Sequence, residues 1–258
     1  MSFRIVIPAR YQATRLPGKP LRDLAGKPLI QHVHERALES GAEEILIATD
    51  DERIRDAAEG FGAAVCMTRT DHSNGTERLG EVIEKMGWPD EAVIVNLQGD
   101  EPLMPPECLR QVAEVLTAHP ECAMSTLYAA LDDPEDMFDP HVVKLVANRD
   151  DEALYFSRAP IPWWRERFGE APDADLSEPP TPFMRHIGLY AYRADFGRDY
   201  GKLTPSPLEQ MESLEQLRAL WHGYRIAVAE AVQLPPAGVD TEGDLERVRR
   251  QLTSQKVG

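Results

Sequence analysis

The chain opens, at residues 3–21, with FRIVIPARYQATRLPGKPL, and this stretch decides how the rest is read. Its first part, Phe3 to Ile7, has the composition of a buried strand, and residues 28–33 behind the loop have the pattern of a helix. The segment between them contains three prolines, which fix φ and stiffen a loop, and Gly18, which lets the backbone approach a ligand closely. Strand, stiff loop and helix in this order predict the first unit of an α/β fold.

Three cations lie on this loop, at Arg10, Arg15 and Lys19. They stand out because the whole chain has a formal net charge of −16 at pH 7. A rigid cationic loop after the first strand of an α/β pattern has the properties of a polyphosphate site. A solvated surface loop that happens to carry three positive charges is the alternative, and the loop alone leaves both readings open.

The composition bounds the class of protein. With 258 residues, 42% of them hydrophobic and 28% charged, the chain fits one large globular domain or two small ones. The acidic balance argues against a nucleic-acid partner, because phosphate backbones require basic surfaces. No run approaches the roughly 18 apolar residues that span a membrane, and the N-terminus has no signal region. Three cysteines without paired spacing, Cys66, Cys108 and Cys122, favour a reducing compartment, so we expect a cytoplasmic protein.

Apolar runs alternate with helical patterns through the first half of the chain. Strands are predicted over residues 44–49, 63–67 and 92–97, and the alternation predicts βαβ units with a largely parallel sheet. In the second half we predict a helix over 106–118, a strand near 123–127, a hairpin of 142–146 with 153–156, a strand over 183–192, a helix over 208–219, a strand over 226–229 and a helix over 243–252. Residues 132–139 read as an acidic turn, and 169–182 as a Pro-rich loop.

Polar residues follow two of these predicted elements. Asp100 comes directly after the most hydrophobic strand, where ligands of open α/β sheets bind, and a carboxylate there suits Mg²⁺. The alternative is that Asp100 caps the helix at 106. The turn at Asn74-Gly75, with Thr76 as N-cap of a helix over 77–86, can hold a base or an anion, although a turn and a cap are also ordinary architecture.

Several later residues allow two interpretations each. Asp240 could cap the last helix or pair with Asp100 across a site. His186 and Tyr190 share one strand face, where a ligand contact and ordinary packing are both possible. On the helix over 208–219, three polar residues share a face that is usually solvated: Glu212, Glu215 and Gln216.

Seven segments of the chain form a recognisable set. They are IPARYQATRLPGKPL at 7–21, MTRTDHSNGTERL at 67–79, VNLQGDEP at 95–102, ALYFSRAPIP at 153–162, RHIGLYAYR at 185–193, SPLEQMESLEQLR at 206–218 and GVDTEGDLERVR at 238–249. Together they resemble the 3-deoxy-manno-octulosonate (KDO) cytidylyltransferase family, also called CMP-KDO synthetases. The first and third occur in looser form across sugar nucleotidyltransferases, whereas YFSRAPIP and ESLEQLR point to the KDO enzymes.

The resemblance implies a nucleotide-diphosphosugar-transferase-like fold, with three layers (α/β/α) around a mixed, mostly parallel sheet. It implies a single cytidylyltransferase domain over residues 1–258, with a sugar-binding and dimerisation subregion at about 130–220, and a homodimer. The implied reaction is CTP + KDO → CMP-KDO + pyrophosphate with Mg²⁺ as cofactor, which activates KDO for lipopolysaccharide synthesis. CTP and KDO would then be the small-molecule partners, without nucleic acid or membrane.

The resemblance also implies roles for individual residues. Lys19, Asp100, Asp240, Arg10 and Arg15 would be catalytic. Of these, Arg10, Arg15 and Lys19 would hold the CTP phosphates beside Ala9, and Asp100 and Asp240 would bind Mg²⁺ between the α-phosphate and the sugar. Gly75, Arg78 and Gln98 would surround the cytidine, and Arg158, His186, Tyr190, Glu215 and Gln216 would face KDO.

The sequence departs from the expected pattern at two positions, Ala13 and Asn74, where the resemblance leads us to expect Ser. Both concern details of the triphosphate and base contacts and leave the reaction unchanged. The segment 170–182 is longer than usual.

Two anionic substrates must meet, so we expect the protein to act by positioning and charge neutralisation. No separate general base stands out, and we expect the metal on Asp100 and Asp240 to lower the pKa of the sugar hydroxyl. Two alternatives are another sugar nucleotidyltransferase, such as an acylneuraminate cytidylyltransferase, and a CTP-binding regulatory module without catalysis. The presence of both aspartates argues against the second.

Overall fold

The first strand, β1 (Arg4–Ala9), is the element around which the sheet is built. A computed structural model describes residues 2–12, 16–72, 74–131, 133–168 and 183–255. In β1, Ile5, Val6 and Ile7 are fully buried, because this strand has helices on both faces. A continuous apolar run is typical of such a doubly covered strand, and the prediction of a buried first strand is confirmed.

The other strands follow in chain order. They are β2 (Asp23–Leu24), β3 (Lys27–Pro28), β4 (Glu44–Thr49), β5 (Ala64–Met67), β6 (Val93–Asn96), β7 (Met124–Ala130), β8 (Lys144–Ala147), β9 (Ala153–Ser157), β10 (Met184–Arg193) and β11 (Ile226–Glu230). The predicted strands over 44–49, 63–67 and 92–97 lie within one residue of β4, β5 and β6 at each end.

The helices begin with a 3₁₀ turn at Lys19–Leu21 in the opening loop. The α-helices are α1 (Leu29–Glu39), α2 (Glu52–Gly60), α3 (Gly75–Met86), α4 (Pro106–Ala118), α5 (Pro134–Phe138), α6 (Ala194–Tyr200), α7 (Pro207–Glu212), α8 (Gln216–Trp221) and α9 (Glu242–Gln255). Within the described residues, none of these helices combines the length and the apolar character needed to cross a bilayer.

The main sheet of the described residues has nine strands, and its path runs β11-β7-β10-β6-β1-β4-β5. β1 is parallel to β4 and to β6, while β10 runs antiparallel to β6 and β7. Along this path β10 alone is reversed, which confirms the predicted mixed, mostly parallel sheet. β8 and β9 form the predicted hairpin and join the sheet through β10.

Two apolar clusters cover the two faces of the sheet. Ile5 and Ile7 belong to the cluster on the side of α1, α2, α4 and α9, and Val6 belongs to the cluster on the side of α3, α6 and α8. This alternation follows from the two-residue period of a strand. The result is the predicted three-layer α/β/α arrangement, which brings the carboxyl ends of β1, β4 and β6 to one edge of the sheet.

The helix predicted over 208–219 is wrong in one respect, because it is broken. Ser213 has φ 52° and ends α7, and α8 begins only at Gln216. Arg218 and Glu209 form a two-pronged ion pair, at 2.8 and 2.6 Å, that packs the two short helices together. The predicted common face of Glu212, Glu215 and Gln216 therefore does not exist.

Two smaller predictions also fail. The N-cap of α3 is Asn74, whose side chain accepts from the Glu77 N–H at 2.8 Å, so Thr76 lies inside the helix. The acidic turn over 132–139 contains the short helix α5, capped by Asp133. The loop over 170–182 lies outside the described residues.

We expect Gly80→Ala to destabilise the protein, because α3 and α6 cross with almost no space between them. A Cβ at Gly80 would lie 2.7 Å from the carbonyl oxygen of Gly197, a backbone atom that cannot move alone. The expected loss is about 2–3 kcal/mol in the free energy of unfolding, measured by denaturant titration. Gly60→Ala in α2 is the matched control, since its Cβ would meet no described atom within 4 Å. Unchanged stability of G80A would contradict this packing argument.

Candidate active site

Lys19 is the centre of a group of charges at the carboxyl edge of the sheet. Its Nζ donates to Asp100 Oδ2 at 2.7 Å and to Asp240 Oδ1 at 3.1 Å. Burial would lower the pKa of Lys19, but the two carboxylates outweigh burial and raise it. The ammonium therefore stays charged at neutral pH, and two carboxylates that are remote in sequence share one cation.

Backbone contacts between loops bring the two aspartates together. Asp100 follows β6, and its carbonyl accepts from the Val239 N–H at 2.9 Å, which fixes the segment that bears Asp240. Gly99 lets this loop lie against the end of β1, since a Cβ there would be 2.7 Å from the Pro8 carbonyl oxygen. The meeting point thus depends on close backbone approach between distant parts of the chain.

The sequence left two roles open for Asp240, a cap of the last helix or a partner of Asp100. In the structure Asp240 lies beside Asp100. The last helix is capped by Thr241 instead, whose Oγ1 accepts from the Asp244 N–H at 3.2 Å. Asp244 Oδ2 in turn accepts from the Thr241 N–H at 3.0 Å, which completes a reciprocal cap. The carboxylate of Asp240 is therefore not needed to cap α9 and lies beside Lys19.

Arg10 joins the opening loop to the turn before α3. Its Nη2 donates to the carbonyl oxygens of His72 at 2.5 Å and Asn74 at 3.2 Å. Burial and the neighbouring Arg78 lower the pKa of Arg10, although nearby carboxylates oppose them. Arg15, the third predicted phosphate ligand, and Ala13 lie outside the described residues.

A cavity of about 270 Å³, which we call the loop cavity, opens between these groups. Its walls come from the end of β1, the 3₁₀ turn, the start of α3 and the loop after β6. The predicted residues that line it are Ala9, Arg10, Lys19, Gly75, Gln98 and Asp100. The positive end of the α3 dipole, at Gly75, borders the cavity and favours an anion there.

A second cavity of about 250 Å³, the tyrosine cavity, adjoins the first and shares Gly75 and Gln98 with it. It is enclosed by β6, β10 and the α7–α8 junction. Its predicted lining residues are Tyr190, Glu215 and Gln216, and others that the sequence analysis did not select are Thr76, Asn96, Tyr192 and Tyr200. Two ligands seated in the two cavities would meet at the shared wall.

Glu215 is held at the wall of the tyrosine cavity. Its Oε2 accepts from Thr76 Oγ1 at 3.1 Å, and its backbone carbonyl accepts from the Tyr200 hydroxyl at 3.2 Å. Burial raises the pKa of Glu215, and the hydrogen bond from Thr76 opposes that shift. The left-handed Ser213 turns the chain so that Glu215 faces this cavity, whereas Glu212 binds Ser157 at 2.7 Å elsewhere.

Besides Asp240, which lies beside Lys19, three predicted residues in the described part of the chain do not line either cavity. Arg78 is fully buried, and its guanidinium binds Thr68 and, at 2.9 Å, Asp50. Arg158 donates to the backbone carbonyls of Glu212 and Pro140, at 2.6 and 2.8 Å. These contacts hold loops together, and the predicted ligand contacts of the two arginines stay predictions.

His186 is the third of these residues, and it packs among aromatic rings. Its Nε2 lies 3.0 Å from Thr126 Oγ1, and its ring is 5.0 Å from Phe156 and 5.3 Å from Tyr190. Burial lowers the pKa of His186 to about 3, so the ring is neutral. β10 has a bulge between Ile187 and Tyr190, but His186 and Tyr190 pair with Tyr128 and Thr126, two residues apart on β7, so the two side chains still share the predicted face.

Glu101 is a carboxyl that the sequence analysis missed. Burial, together with the negative charges of Asp100 and Asp240, raises the pKa of Glu101 to about 8. At neutral pH this side chain is therefore mostly protonated and adds little negative charge beside the aspartates. The run Asp100-Glu101 in the sequence was the available signal, but it does not show that Glu101 is half-buried beside both aspartates.

The aspartate pair fits a Mg²⁺ ion by its chemistry. Mg²⁺ prefers oxygen ligands and is usually held by one or two carboxylates together with substrate phosphates. Asp100 and Asp240 supply two carboxylates that already lie within 3.1 Å of one cationic group, at the edge of the loop cavity. These two residues are the ones that would hold the ion.

The fold is that of a nucleotidyl transferase from Methanothermobacter thermautotroptrophicus, which is 18% identical and aligns over 98% of this chain and 99% of that one with a TM-score of 0.61. The chain belongs to the cytidylyltransferase family, whose profile, described as "Cytidylyltransferase", matches residues 4–226.

Closer relatives carry more specific names. The 3-deoxy-manno-octulosonate cytidylyltransferase of Methylococcus capsulatus is 54% identical, with 98% of each chain aligned. The protein of the same name from Idiomarina loihiensis is 55% identical over 97% of this chain and 98% of its own. A solved structure of CMP:2-keto-3-deoxy-manno-octonic acid synthetase complexed with CTP is 42% identical, covers 99% of this chain and 100% of its own, and has a TM-score of 0.88.

Glu81 of α3 anchors the turn that Arg10 holds from the other side. It accepts from the Arg69 N–H at 3.0 Å and from Lys85 at 2.8 Å, and it pairs with His72. Burial alone would raise the pKa of Glu81, but these hydrogen bonds lower it to about 2. The ionised Glu81 therefore stabilises the folded state above its ordinary pKa of 4.5, and this contribution is lost as the pH falls from about 4.5 toward 2.

We expect Glu81→Gln to reduce the free energy of unfolding by about 1–2 kcal/mol at pH 7. Because only the wild type loses the Glu81 contribution on acidification, the difference between the two proteins shrinks between pH 5 and pH 3. Urea unfolding between pH 5 and pH 3 measures this difference in the free energy of unfolding. The control is Glu84→Gln, which changes an exposed carboxylate on the same helix. A difference that is constant with pH would contradict the assigned pKa shift.

Proposed function

We propose that this protein transfers CMP from CTP to KDO, releases pyrophosphate, and so activates KDO for lipopolysaccharide synthesis. The observation that carries the proposal is the contact of Lys19 with both Asp100 and Asp240 beside two adjoining cavities. The names of the relatives, which share more than half of their residues with this chain, support KDO as the acceptor. The solved relative with CTP supports the nucleotide.

The two substrates are assigned to the two cavities by charge and shape. CTP would occupy the loop cavity, where Arg10 and Lys19 can neutralise phosphate and the N-terminus of α3 adds positive potential. KDO would occupy the tyrosine cavity, whose polar side chains can bind hydroxyl groups while its rings contact the sugar carbons. The shared wall at Gly75 and Gln98 is where the reacting atoms would meet.

The reaction forms a bond from the anomeric oxygen of KDO to the α-phosphorus and breaks the bond from that phosphorus to pyrophosphate. Negative charge grows on the leaving pyrophosphate, and Lys19 and Arg10 lie where they would stabilise it. Because Arg10 is fixed by two backbone carbonyls, its orientation is set before substrate binds. No side chain is assigned as a general base, and the hydroxyl proton would leave to solvent.

Mg²⁺ dependence is part of this proposal. Asp100 and Asp240 would hold the ion, which when bound supplies a Lewis acid that lowers the pKa of the sugar hydroxyl. The support is the oxygen-rich donor pair and its position beside the loop cavity. Lys19, now shared by both carboxylates, would remain close enough to neutralise the phosphates.

Asp100→Ala or Asp240→Ala should lower turnover by orders of magnitude while CTP binding is partly retained. The reason is that each change removes a proposed metal ligand but leaves the two cations of the loop cavity, Arg10 and Lys19, in place. Pyrophosphate release from CTP, KDO and Mg²⁺ measures turnover, and calorimetry measures CTP binding. Asp56→Ala, an exposed carboxylate on α2, is the control. Near-normal turnover of either site variant would refute the assignment.

A homodimer is also part of the proposal, supported by an exposed apolar surface. Leu154 on β9, Met211 on α7 and Trp221 on α8 are 60%, 82% and 55% exposed, and β9 and α7 both pack against α8. Such a concentration of large apolar side chains is typical of an interface. Leu154 and Met211 lie in the subregion at about 130–220, for which a dimerisation role stays a prediction.

We expect wild-type protein to sediment at about twice its chain mass of 28.9 kDa. The double variant Leu154→Glu with Met211→Glu should sediment as a monomer, because two carboxylates on each protomer would have to be desolvated in the interface. Leu38→Glu on α1, at a position that is 58% exposed, is the control and should remain dimeric. A monomeric wild type, or a dimeric double variant, would rule out this interface.

The cytoplasm is the proposed location. The three cysteines, Cys66, Cys108 and Cys122, are all unpaired and buried, which suits a reducing compartment. The proposed use of CTP as a substrate is also consistent with a cytoplasmic location.

A further inference from the structure

Two buried polar atoms in the wall of the tyrosine cavity lack a hydrogen-bond partner among the described residues. They are Asn96 Oδ1 and Gln216 Nε2, and their side chains belong to residues that are 1% and 6% exposed. Buried polar groups in folded proteins are nearly always satisfied, so an unsatisfied pair in a cavity wall calls for a partner. Asn96 Oδ1 is an acceptor and Gln216 Nε2 is a donor. Because a hydroxyl group can both donate and accept, a ligand rich in hydroxyl groups is complementary to this pair.

A chain of hydrogen bonds orders the wall of the tyrosine cavity around Asn96. Thr76 Oγ1 donates its single proton to Glu215 Oε2 at 3.1 Å, so the Tyr192 hydroxyl, 3.3 Å away, must donate to Thr76. These groups satisfy one another, whereas Asn96 Oδ1 and Gln216 Nε2 in the same wall have no partner among the described residues.

We propose that Asn96 determines specificity in the acceptor site, with Oδ1 accepting a hydrogen bond from a hydroxyl of the bound sugar acid. Gln216 Nε2 would donate to an oxygen of the same ligand. This inference rests on the proposed function, and it adds a residue to which the sequence assigned no role.

The sugar is the expected partner because of where Asn96 lies. Asn96 lines the tyrosine cavity and is absent from the lining of the loop cavity. A site built to hydrogen-bond a hydroxyl discriminates strongly against an analogue that lacks it, since the protein group is then left unpaired. Asn96 should therefore govern the choice of acceptor and leave the affinity for CTP unchanged.

The test is Asn96→Ala in steady-state assays of pyrophosphate release with CTP, KDO and Mg²⁺. We expect the KM for KDO to rise about 10-fold, the effect of one lost hydrogen bond, and the KM for CTP to stay within about twofold. Ser125→Ala is the matched control, because Ser125 is equally buried in the sheet but its Oγ is satisfied by the Val112 carbonyl at 2.7 Å. Its KM values should not change.

Two further measurements keep the test decisive if N96A folds poorly. Gln216→Ala removes the second unpartnered atom, Nε2, and should raise the KM for KDO several-fold with the KM for CTP unaffected. With monodeoxy analogues of KDO, loss of one particular hydroxyl should raise the KM of wild type about 10-fold but leave that of N96A unchanged.

The inference is overturned if N96A and Q216A leave the KM for KDO within twofold, if the KM for CTP rises as much as that for KDO, or if every deoxy analogue affects wild type and N96A equally. A failure of the proposed function would give a different result, because wild type would then release no pyrophosphate with KDO.

Discussion

The ammonium group of Lys19 between Asp100 and Asp240 is the interaction on which the site depends. It joins the opening loop, the end of β6 and the segment before α9, three parts of the chain that local folding alone would not bring together. Two carboxylates gathered at one point need a cation, and here the protein supplies it from the loop after its central strand. The arrangement requires β1 and β6 to be parallel neighbours, because only then do the loops that follow them meet at the same edge of the sheet. The order of the strands therefore determines where the site forms.

The site concentrates positive potential in a protein that is negatively charged as a whole. The chain carries a net charge of −16 and, in the proposed reaction, binds two anionic substrates. Arg10, Lys19 and the N-terminus of α3 concentrate positive potential at the loop cavity, while burial keeps Glu101 mostly protonated beside the aspartates. Polar groups of the tyrosine cavity are held by one another, through Thr76, Tyr192 and Glu215, so that the site is organised before a sugar enters.

Much of the fold could be predicted because long apolar runs set the bounds of β1, β4 and β6, and the strand-end rule placed Asp100 at the correct edge. The break at Ser213 could not, because the helical pattern continues through it and the left-handed turn is fixed by tertiary packing of α7 on α8. Asn96 was overlooked because it reads as part of a core strand. For Arg78 the motif predicts a ligand contact, and burial of its guanidinium against Asp50 and Thr68 is a second property that the sequence did not indicate.

The proposed function requires that this site join one nucleotide to one sugar acid. Pyrophosphate release in Mg²⁺ measures this selectivity, with CTP or UTP each combined with KDO or an acylneuraminate. We expect CTP with KDO to be faster than every other combination by at least about 100-fold, the discrimination expected of sites that hydrogen-bond their ligands. An equal or higher rate with the acylneuraminate, or with UTP, would contradict it.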